Sequence, residues 1–573
     1  MRKSRGRPRL ALAVIVVLLV GVAFIVRLVD IQVVSASELT AEAADKRGLT
    51  ALVYGTRGAI VDAQGAVLAD SVERYELSVS PRVVLGTAGF NESLLPSLEA
   101  MAVITAQDPA VLLTNIQAVP DSDYLVLATD LTLAQFEALR DLDVSWDYYD
   151  RIAARSYPNG AIAGNLTGFL GTDGPLAGLE LSEDACLASE NGTVSYERSE
   201  DGVRIPDTEI QTDPAVDGGT LQLTIDRDLQ WYTQERMAKT AGEFGAIWTS
   251  AVVMRVADGA IMALSDWPTL DPNDFGSADP GVTGARSFAI PYEPGSIMKP
   301  INAAMALDYG SVTPTTQLIS PDSMDFGDAG VISDVVWHQP QITVTGSLVY
   351  SSNTGTSQIA NSVPDDIRRE YMENFGFGTS TEVDFTGESN GDLGEYWDAR
   401  TRLTVGFGQG MTSTILQMGS AFQTIANDGL RMPVTLVGSC TGPDGVVVPR
   451  DAGEPTQVIS ASAAQQTVMM MENVAQKAGV WDALQIPGYR IAAKSGTAEV
   501  AEGGVYTDQV VVSYAGIAPA DDPQYVVVVS AGLGYSGYSS DIAPTLHDIM
   551  AQTLTTFRVM PSQGAATDLP IEW

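Results

Sequence analysis

A serine and a lysine three residues apart, Ser296 and Lys299, are the residues of this sequence best placed to do chemistry. Lysine is scarce, because the chain has only six, and Lys299 is the only one with a serine three residues before it. A serine hydroxyl is a poor nucleophile until a base removes its proton. Histidine, the usual base, occurs only at His338 and His547, and neither lies in a recognisable triad motif. The spacing therefore predicts a serine nucleophile activated by a lysine.

The residues before Ser296 indicate how the pair is held. Pro294 and Gly295 are typical of a loop that enters a helix, and residues at i and i+3 of a helix share a face. The positive end of the helix dipole favours the negative charge that develops there. To act as a base Lys299 must be neutral, and we expect burial and a second cation, Lys494, to lower its pKa.

Two further motifs follow the first along the chain. They are Ser351-Ser352-Asn353 and Lys494-Ser495-Gly496, and Lys494 is the only lysine followed by a serine or threonine and then a glycine. Alone, each of these motifs is most often a surface helix face or a turn. Together and in this order they are typical of penicillin-recognising serine enzymes.

Composition restricts the class of protein. With 32 Lys and Arg against 71 Asp and Glu, the net charge is −39, which repels nucleic acid. The hydrophobic content of 45% fits a globular protein with a sizeable core. Two cysteines, Cys186 and Cys440, form no zinc pattern or disulfide framework, and we expect them to stay unpaired because they fall in separate domains.

An uncharged apolar run covers residues 10–26. As a helix it would reach about 26 Å, close to the thickness of a membrane's hydrocarbon core. The tail 1–9 before it is basic, which by the positive-inside rule predicts a cytoplasmic N-terminus and an exported body. A cleaved signal peptide ending at Ala36 is the alternative, but the apolar run is long for one. We therefore expect an uncleaved, single-pass anchor.

The exported body divides by pattern into two units. Residues 27–225 carry many short runs typical of strands, and residues 226–560 carry strands at both ends with helices between them. Asp258-Gly259 predicts a hairpin at the start of the second unit. The simplest architecture is an antiparallel sheet with helices packed on it, followed by a C-terminal tail, 561–573.

Over nearly its whole length the chain resembles the class B penicillin-binding proteins, peptidoglycan D,D-transpeptidases, and among them the cell-division type. The transpeptidase boxes are residues 293–299, 351–353, 406–410 and 494–498, and the boxes of the N-terminal domain are residues 57–62, 155–158, 178–180 and 223–226. Asn353, where elongation-type relatives often carry Asp, favours the division type. The resemblance implies a mixed α+β fold: an anchor, a mainly-β elongated pedestal (dimerisation-type) domain, and a serine β-lactamase-like transpeptidase domain with helices on both sides of its sheet.

The resemblance also implies roles for individual residues. Ser296 would be the acylated nucleophile and Lys299 its base, while Ser351 and Asn353 would relay protons and orient the donor peptide. Lys494 would bind the substrate's terminal carboxylate. The substrate-binding strand and the oxyanion hole would involve Ser495, Gly496 and Thr497. No metal or organic cofactor is implied. Ser495, where Thr is commoner, and Ile415, where Pro is common, depart from the pattern.

The implied reaction cross-links peptidoglycan stem peptides during septal wall synthesis in the bacterial cell membrane, and β-lactams would inhibit it. The expected partners are D-Ala-D-Ala stem peptides, β-lactams, the membrane, a membrane glycosyltransferase and other division proteins, with no nucleic acid. The alternatives are an elongation-type transpeptidase, a D,D-carboxypeptidase, or a non-catalytic scaffold or β-lactam sensor.

Overall fold

The structure, a computed structural model, describes residues 7–36, 48–86, 90–144, 146–197, 208–503 and 505–573. Residues 1–6 of the expected cytoplasmic tail lie outside this range. The chain forms two compact units, the first from residues 1–56 and 189–217, the second from residues 57–188 and 218–573.

The first unit contains a long helix, Arg7–Val29, that continues into a short π-helix, Asp30–Val34. Among the described residues it is the one helix long and apolar enough to cross a membrane, and it includes the apolar run 10–26. The same unit contains a three-stranded antiparallel sheet of Gly48–Val53, Gly192–Glu197 and Ile210–Asp213.

The second unit begins with a seven-stranded sheet. Its strands are, in order, Val447–Pro449, Val437–Thr441, Thr220–Leu223, Ile60–Val61, Val67–Val79 and Leu125–Leu131, and Asp147–Ser156 also pairs with Val67–Val79. The helices of this part are Pro81–Gly86, Phe90–Thr105, Pro109–Ala118, Leu133–Arg140, Gly164–Thr167, Gly178–Ser182 and Asp184–Leu187, and a small hairpin pairs Leu170–Gly171 with Gly174–Pro175.

Three of the N-terminal boxes meet at one buried carboxylate, that of Glu180. Arg57 Nε and Arg155 Nε each donate to it at 2.6 Å, and the Tyr157 hydroxyl donates at 3.2 Å. Arg57 also donates to Asp184 at 2.6 Å. A fully buried carboxylate is tolerated when it is paired and hydrogen-bonded in this way. These boxes therefore hold the fold together.

A second sheet, the central sheet, has five antiparallel strands: Ile261–Trp267, Ala246–Arg255, Tyr525–Leu533, Val505–Ala518 and Ala492–Glu502 in that order. Strands from the two ends of the predicted domain thus pair, and the hairpin at Gly259 is confirmed, with φ of 71°. Helices Arg227–Phe244 and Ala543–Thr556 pack on one face, and Ile415–Ala426 and Ala461–Lys477 pack on the other.

The valine run of Tyr525–Leu533 shows why both faces are covered. Val526 and Val528 lie in one hydrophobic cluster, and Val527 and Val529 lie in another, with all four side chains fully buried. Successive strand residues point to opposite faces, so an uninterrupted apolar strand requires helices on both sides. The predicted antiparallel sheet with helices packed on both sides is confirmed.

The remaining elements of the second unit are shorter. They are the helices Arg286–Ala289, Lys299–Tyr309, Val344–Val349, Asn353–Ala360, Asp365–Asn374, Thr401–Thr404 and Trp481–Leu484, the 3-10 segments Pro272–Ser277, Pro280–Val282, Gly295–Met298, Gly327–Ala329, Val405–Phe407 and Ser539–Ile542, and the strand pairs Gln317–Ile319 with Gln341–Thr343, Ser323–Asp325 with Val331–Ser333, and Leu430–Arg431 with Thr456–Gln457.

The expectation that the cysteines stay unpaired is wrong. Cys186 and Cys440 form a disulfide across a sequence separation of 254 residues. The expectation assumed that they belong to separate domains, yet Val437–Thr441 pairs directly with Thr220–Leu223 in the seven-stranded sheet. Beside this pair the Gly219 amide donates to the carbonyl of Cys186 at 2.7 Å, which brings the two cysteines to one place.

Candidate active site

Ser296 lies on a single 3-10 turn, Gly295–Met298, here called the nucleophile turn, and the α-helix Lys299–Tyr309 begins immediately after it. The α-helix therefore starts at the lysine, whereas the sequence predicted a start at the serine. In a 3-10 helix residues at i and i+3 lie above one another, so Ser296 and Lys299 still share a side.

Glycine is required where the nucleophile turn meets the outer strand of the central sheet. Gly295 has φ of +59°, and a Cβ there would lie 2.5 Å from the carbonyl oxygen of Thr497. A Cβ on Gly408 would lie 2.3 Å from the carbonyl oxygen of Gly295, and the Gly295 amide donates to Gly408 at 3.0 Å. The box 406–410 thus packs directly against the nucleophile turn and holds it by a backbone hydrogen bond.

Lys299 is fully buried, and its amine is surrounded by oxygen atoms. Its Nζ lies 2.8 Å from Asn353 Oδ1 and 3.2 Å from Ser351 Oγ, and it also contacts the carbonyl of Ser351. Burial, helped by the positive charge of Lys494 and opposed by Asp334, lowers the pKa of Lys299 well below its usual value. The direction and both causes agree with the sequence-based expectation.

The Ser351–Asn353 motif forms the corner between two helices. Ser351 adopts a left-handed conformation with φ of 54°, and Ser352 caps the helix Asn353–Ala360 by accepting from the Gly355 amide at 2.8 Å. The middle serine is therefore structural and buried. The outer two residues, Ser351 and Asn353, face the amine of Lys299.

Lys494 lies on the strand Ala492–Glu502, here called the active-site strand, which is the outermost strand of the central sheet. Its Nζ donates to Ser351 Oγ at 3.0 Å and to the carbonyl of Ser495 at 2.7 Å. Burial lowers the pKa of Lys494 to about 7. Ser351 Oγ therefore lies within hydrogen-bond distance of two buried amines whose pKa values are both lowered.

All the predicted site residues except Lys299 line one cleft of about 1000 Å³: Ser296, Ser351, Asn353, Lys494, Ser495, Gly496 and Thr497. Lys299 lies behind the cleft wall, and its amine contacts Asn353 Oδ1. Gly496 lets the active-site strand approach the nucleophile turn, because a Cβ there would lie 3.0 Å from the Ile297 amide. Thr497 is exposed to the cleft.

The sequence analysis missed two residues behind this site, Asp334 and His338. The Asp334 carboxylate accepts from the amides of Asn353 and Thr354 at 2.5 and 2.9 Å, and His338 Nε2 lies 2.7 Å from it. Two features of the sequence could have indicated them: His338 is one of only two histidines, and it lies four residues after Asp334.

It also missed the role of Glu293 at the mouth of the cleft. The Glu293 carboxylate accepts from the Gly410 amide at 3.0 Å and from the Tyr506 hydroxyl at 3.2 Å. The residue before Pro294 therefore connects the nucleophile turn with the box 406–410 and with the strand next to the active-site strand.

Comparison with known proteins agrees with this geometry. Residues 249–551 match the family model "Penicillin binding protein transpeptidase domain", and residues 52–175 match "Penicillin-binding Protein dimerisation domain".

Curated relatives match along nearly the full length. The penicillin-binding protein PbpB of Mycolicibacterium smegmatis is 33% identical over 98% of this chain and 92% of its own. The peptidoglycan D,D-transpeptidase FtsI of Escherichia coli K12 is 29% identical over 95% of this chain and 91% of its own. A crystal structure of penicillin-binding protein 3 from Mycobacterium tuberculosis, complexed with aztreonam, is 27% identical, has a TM-score of 0.70, and covers 91% of this chain and 100% of its own.

A serine three residues before a buried lysine, a second serine hydrogen-bonded to two amines, and full-length similarity to these relatives lead to one conclusion. The chain belongs to the penicillin-binding proteins, the family of peptidoglycan D,D-transpeptidases.

Proposed function

We propose that Ser296 is the nucleophile of this transpeptidase and that Lys299 is its base. The observation that carries the proposal is the fully buried amine of Lys299, whose lowered pKa favours the neutral form that a base requires. In the first step Ser296 Oγ attacks the carbonyl carbon of the penultimate D-Ala of a stem peptide, and its proton passes to Lys299. The tetrahedral intermediate then breaks the peptide bond and leaves an acyl-Ser296.

Ser351 is the relay to the leaving group. Its Oγ lies 3.2 Å from Lys299 Nζ and 3.0 Å from Lys494 Nζ, so a proton can move from Lys299 through the hydroxyl to the amine of the departing D-Ala. In the second step an amine of a neighbouring stem peptide attacks the acyl-serine, loses its proton along the same path, and releases Ser296. Asn353 holds the amine of Lys299 and orients the donor peptide.

Lys494 and the active-site strand recognise the donor. The cation of Lys494 suits the terminal carboxylate of D-Ala. The active-site strand is an edge strand, so a stem peptide can add to it as a further strand along Ser495, Gly496 and Thr497. The backbone amides of Ser296 and Thr497 would form the oxyanion hole, and the close approach of Gly295 to Thr497 supports this by bringing the nucleophile turn beside the active-site strand.

The cellular setting of the proposal is septal wall synthesis. In this proposal residues 1–9 are a cytoplasmic tail, 10–26 the anchor, 27–225 the pedestal, 226–560 the transpeptidase domain and 561–573 a C-terminal tail, and the body that follows the anchor is exported with its cleft. The partners proposed there are stem peptides, β-lactams, a membrane glycosyltransferase and other division proteins. The aztreonam complex of the Mycobacterium tuberculosis relative supports the inclusion of β-lactams.

Labelling with a fluorescent penicillin followed by peptide mapping tests the proposal. We expect one stable adduct on the peptide that contains Ser296, absent in Ser296→Ala and present in Ser462→Ala, which removes an exposed serine of the helix Ala461–Lys477 instead. An adduct on another residue, or none on a folded chain, would overturn the assignment of the nucleophile. Incubation with stem peptides and an amine acceptor then separates cross-linking from hydrolysis by the mass of the product.

A further inference from the structure

Behind the Ser351–Asn353 corner lies a buried aspartate and histidine that the proposed reaction does not use. The side chain of Asp334 is 2% exposed and that of His338 is 0% exposed. They enclose the short exposed segment 335–337, whose three side chains line the cleft. The pair therefore closes the loop that forms one cleft wall.

Both ring nitrogens of His338 face oxygen acceptors. Nδ1 lies 2.7 Å from the carbonyl oxygen of Gln339, and Nε2 lies 2.7 Å from Asp334 Oδ2. A carbonyl oxygen only accepts, so Nδ1 carries a proton, and a second proton lies between Nε2 and the carboxylate. Two protons are thus present at a buried ring.

The other contacts of Asp334 place that second proton on the ring. Oδ1 accepts from the amides of Asn353 and Thr354 at 2.5 and 2.9 Å. Oδ2 accepts from Ser352 Oγ at 2.8 Å. Three donors in addition to the histidine therefore contact the carboxylate, and hydrogen bonds to the charged form favour that form.

Asp334 holds the Ser351–Asn353 corner, and this corner faces the amine of Lys299. Two amides of the first turn of Asn353–Ala360 bind Asp334, while the side chain of Asn353 reaches from the same turn to Lys299 Nζ at 2.8 Å. The other end of the pair is fixed by Tyr350, whose ring stacks on His338 with centroids 5.0 Å apart. Rotation of this corner would therefore displace Ser351 and Asn353 from the amine.

We propose that His338 is an imidazolium paired with the carboxylate of Asp334, and that the pair is a positioning device that holds Ser351 and Asn353 against Lys299. Neither residue touches the substrate in this proposal. It rests on the proposed function only in taking Lys299 as the base. Its consequence is that loss of the pair slows the acylation step and leaves the initial binding of the β-lactam nearly unchanged.

The protonation state is measured on the full chain in detergent, with histidine labelled with ¹⁵N. The chain has only two histidines, so His547→Gln assigns the signals. From the two hydrogen bonds of the ring we expect both ring nitrogens of His338 to carry a proton. A His338 ring with only one protonated nitrogen would contradict the proposal that His338 is an imidazolium. The measurement requires no mutation of His338 or Asp334.

Kinetics of penicillin acylation test positioning. His338→Phe keeps a ring that can stack on Tyr350 but removes both donors, and we expect the limiting acylation rate constant to fall at least about tenfold, with the dissociation constant of the preceding complex within about twofold. His338→Gln, which keeps an N–H donor, should recover part of the rate. The matched control is His547→Phe, at a partly exposed histidine that also contacts an aspartate, at 2.9 Å, and it should leave both constants unchanged.

The outcomes separate this proposal from the previous one. A slow adduct of His338→Phe that still maps to Ser296 supports both. An unchanged limiting rate in His338→Phe, or equal losses in rate and binding, contradicts positioning while the nucleophile stands. An adduct that maps elsewhere contradicts the proposed function instead.

Discussion

At the residue scale, the decisive atom is Ser351 Oγ, which lies 3.2 Å from one buried amine and 3.0 Å from another. Two lysines so close to one hydroxyl cannot both be fully charged without cost, because burial removes the water that would stabilise them. The lowered pKa values of Lys299 and Lys494 are the result. A lowered pKa is what the proposed role of Lys299 as a base requires.

This arrangement predicts a pH shift. In the proposed mechanism the neutral form of Lys299 is the base, so acylation should be fast above the pKa of Lys299 and slow as the pH falls through that value. The charge of Lys494 lowers this pKa, so Lys494→Met should raise it and move the acid limb of the acylation rate to higher pH. The measurement is the rate of penicillin acylation against pH.

The control for this shift is Lys239→Met, at a lysine on the exposed side of the helix Arg227–Phe244. In Lys239→Met the acylation rate should fall over the same pH range as in the unmodified chain. If the pH range of this fall in Lys494→Met is unchanged or moves to lower pH, the charge of Lys494 does not lower the pKa of the base.

At the element scale, the site depends on three backbone segments that approach more closely than side chains allow. The nucleophile turn lies between the active-site strand and the box 406–410, and glycine occupies each point of contact. The sequence pattern marks these glycines but does not say what they touch. Packing makes them necessary, since any Cβ would lie within 3 Å of a backbone atom on the facing segment.

Gly408→Ala should therefore separate the nucleophile turn from its support. A new Cβ would lie 2.3 Å from the carbonyl oxygen of Gly295, so we expect at least about a tenfold loss in the acylation rate, as misplacement of catalytic groups typically causes. Gly310→Ala is the matched control, because Gly310 has φ of +79° against +77° at Gly408 and its Cβ would meet open space.

Both variants carry the cost of a left-handed alanine, about 1–2 kcal/mol. Comparable losses of stability with a rate defect in Gly408→Ala alone would support the steric explanation. If the two variants lost the same amount of activity, backbone strain and not the contact with Gly295 would be the cause.

At the scale of the whole molecule, distant parts of the chain are joined through the second unit. The seven-stranded sheet contains strands from residues 60–156, 220–223 and 437–449, and the Cys186–Cys440 disulfide lies beside the pairing of the last two. A covalent link over a sequence separation of 254 residues restricts the unfolded chain strongly. The gain in stability from such a link is at most about 5 kcal/mol.

Removal of the disulfide should lower stability and spare the chemistry. We expect the Cys186→Ser, Cys440→Ser double variant to unfold several degrees lower in a thermal melt, while its penicillin acylation rate at 25 °C stays within about twofold, because neither cysteine lines the cleft. The unmodified chain treated with a reductant should show the same lower midpoint. Equal melting temperatures with and without the disulfide would contradict the prediction.

The sequence by itself determined much of this protein. Ordered motifs, with few lysines to match them by chance, predicted Ser296 and Lys299 as the catalytic pair, a charge-free run predicted the apolar helix, and strand-like runs at both ends of the second unit predicted an antiparallel sheet with helices packed on it. These properties are local: each depends on residue type and on spacing within one element, which the chain specifies directly.

Only the tertiary structure decided which remote residues meet. Ser351 between two lysines, the carboxylate of Asp334 under the corner, and the pairing of Cys186 with Cys440 each join segments that are far apart in the chain. His338 looked uninformative because its partners are a carboxylate and a carbonyl in an irregular loop. No periodicity encodes such contacts, since they arise from how sheets and helices pack and not from the conformational preferences of any one segment.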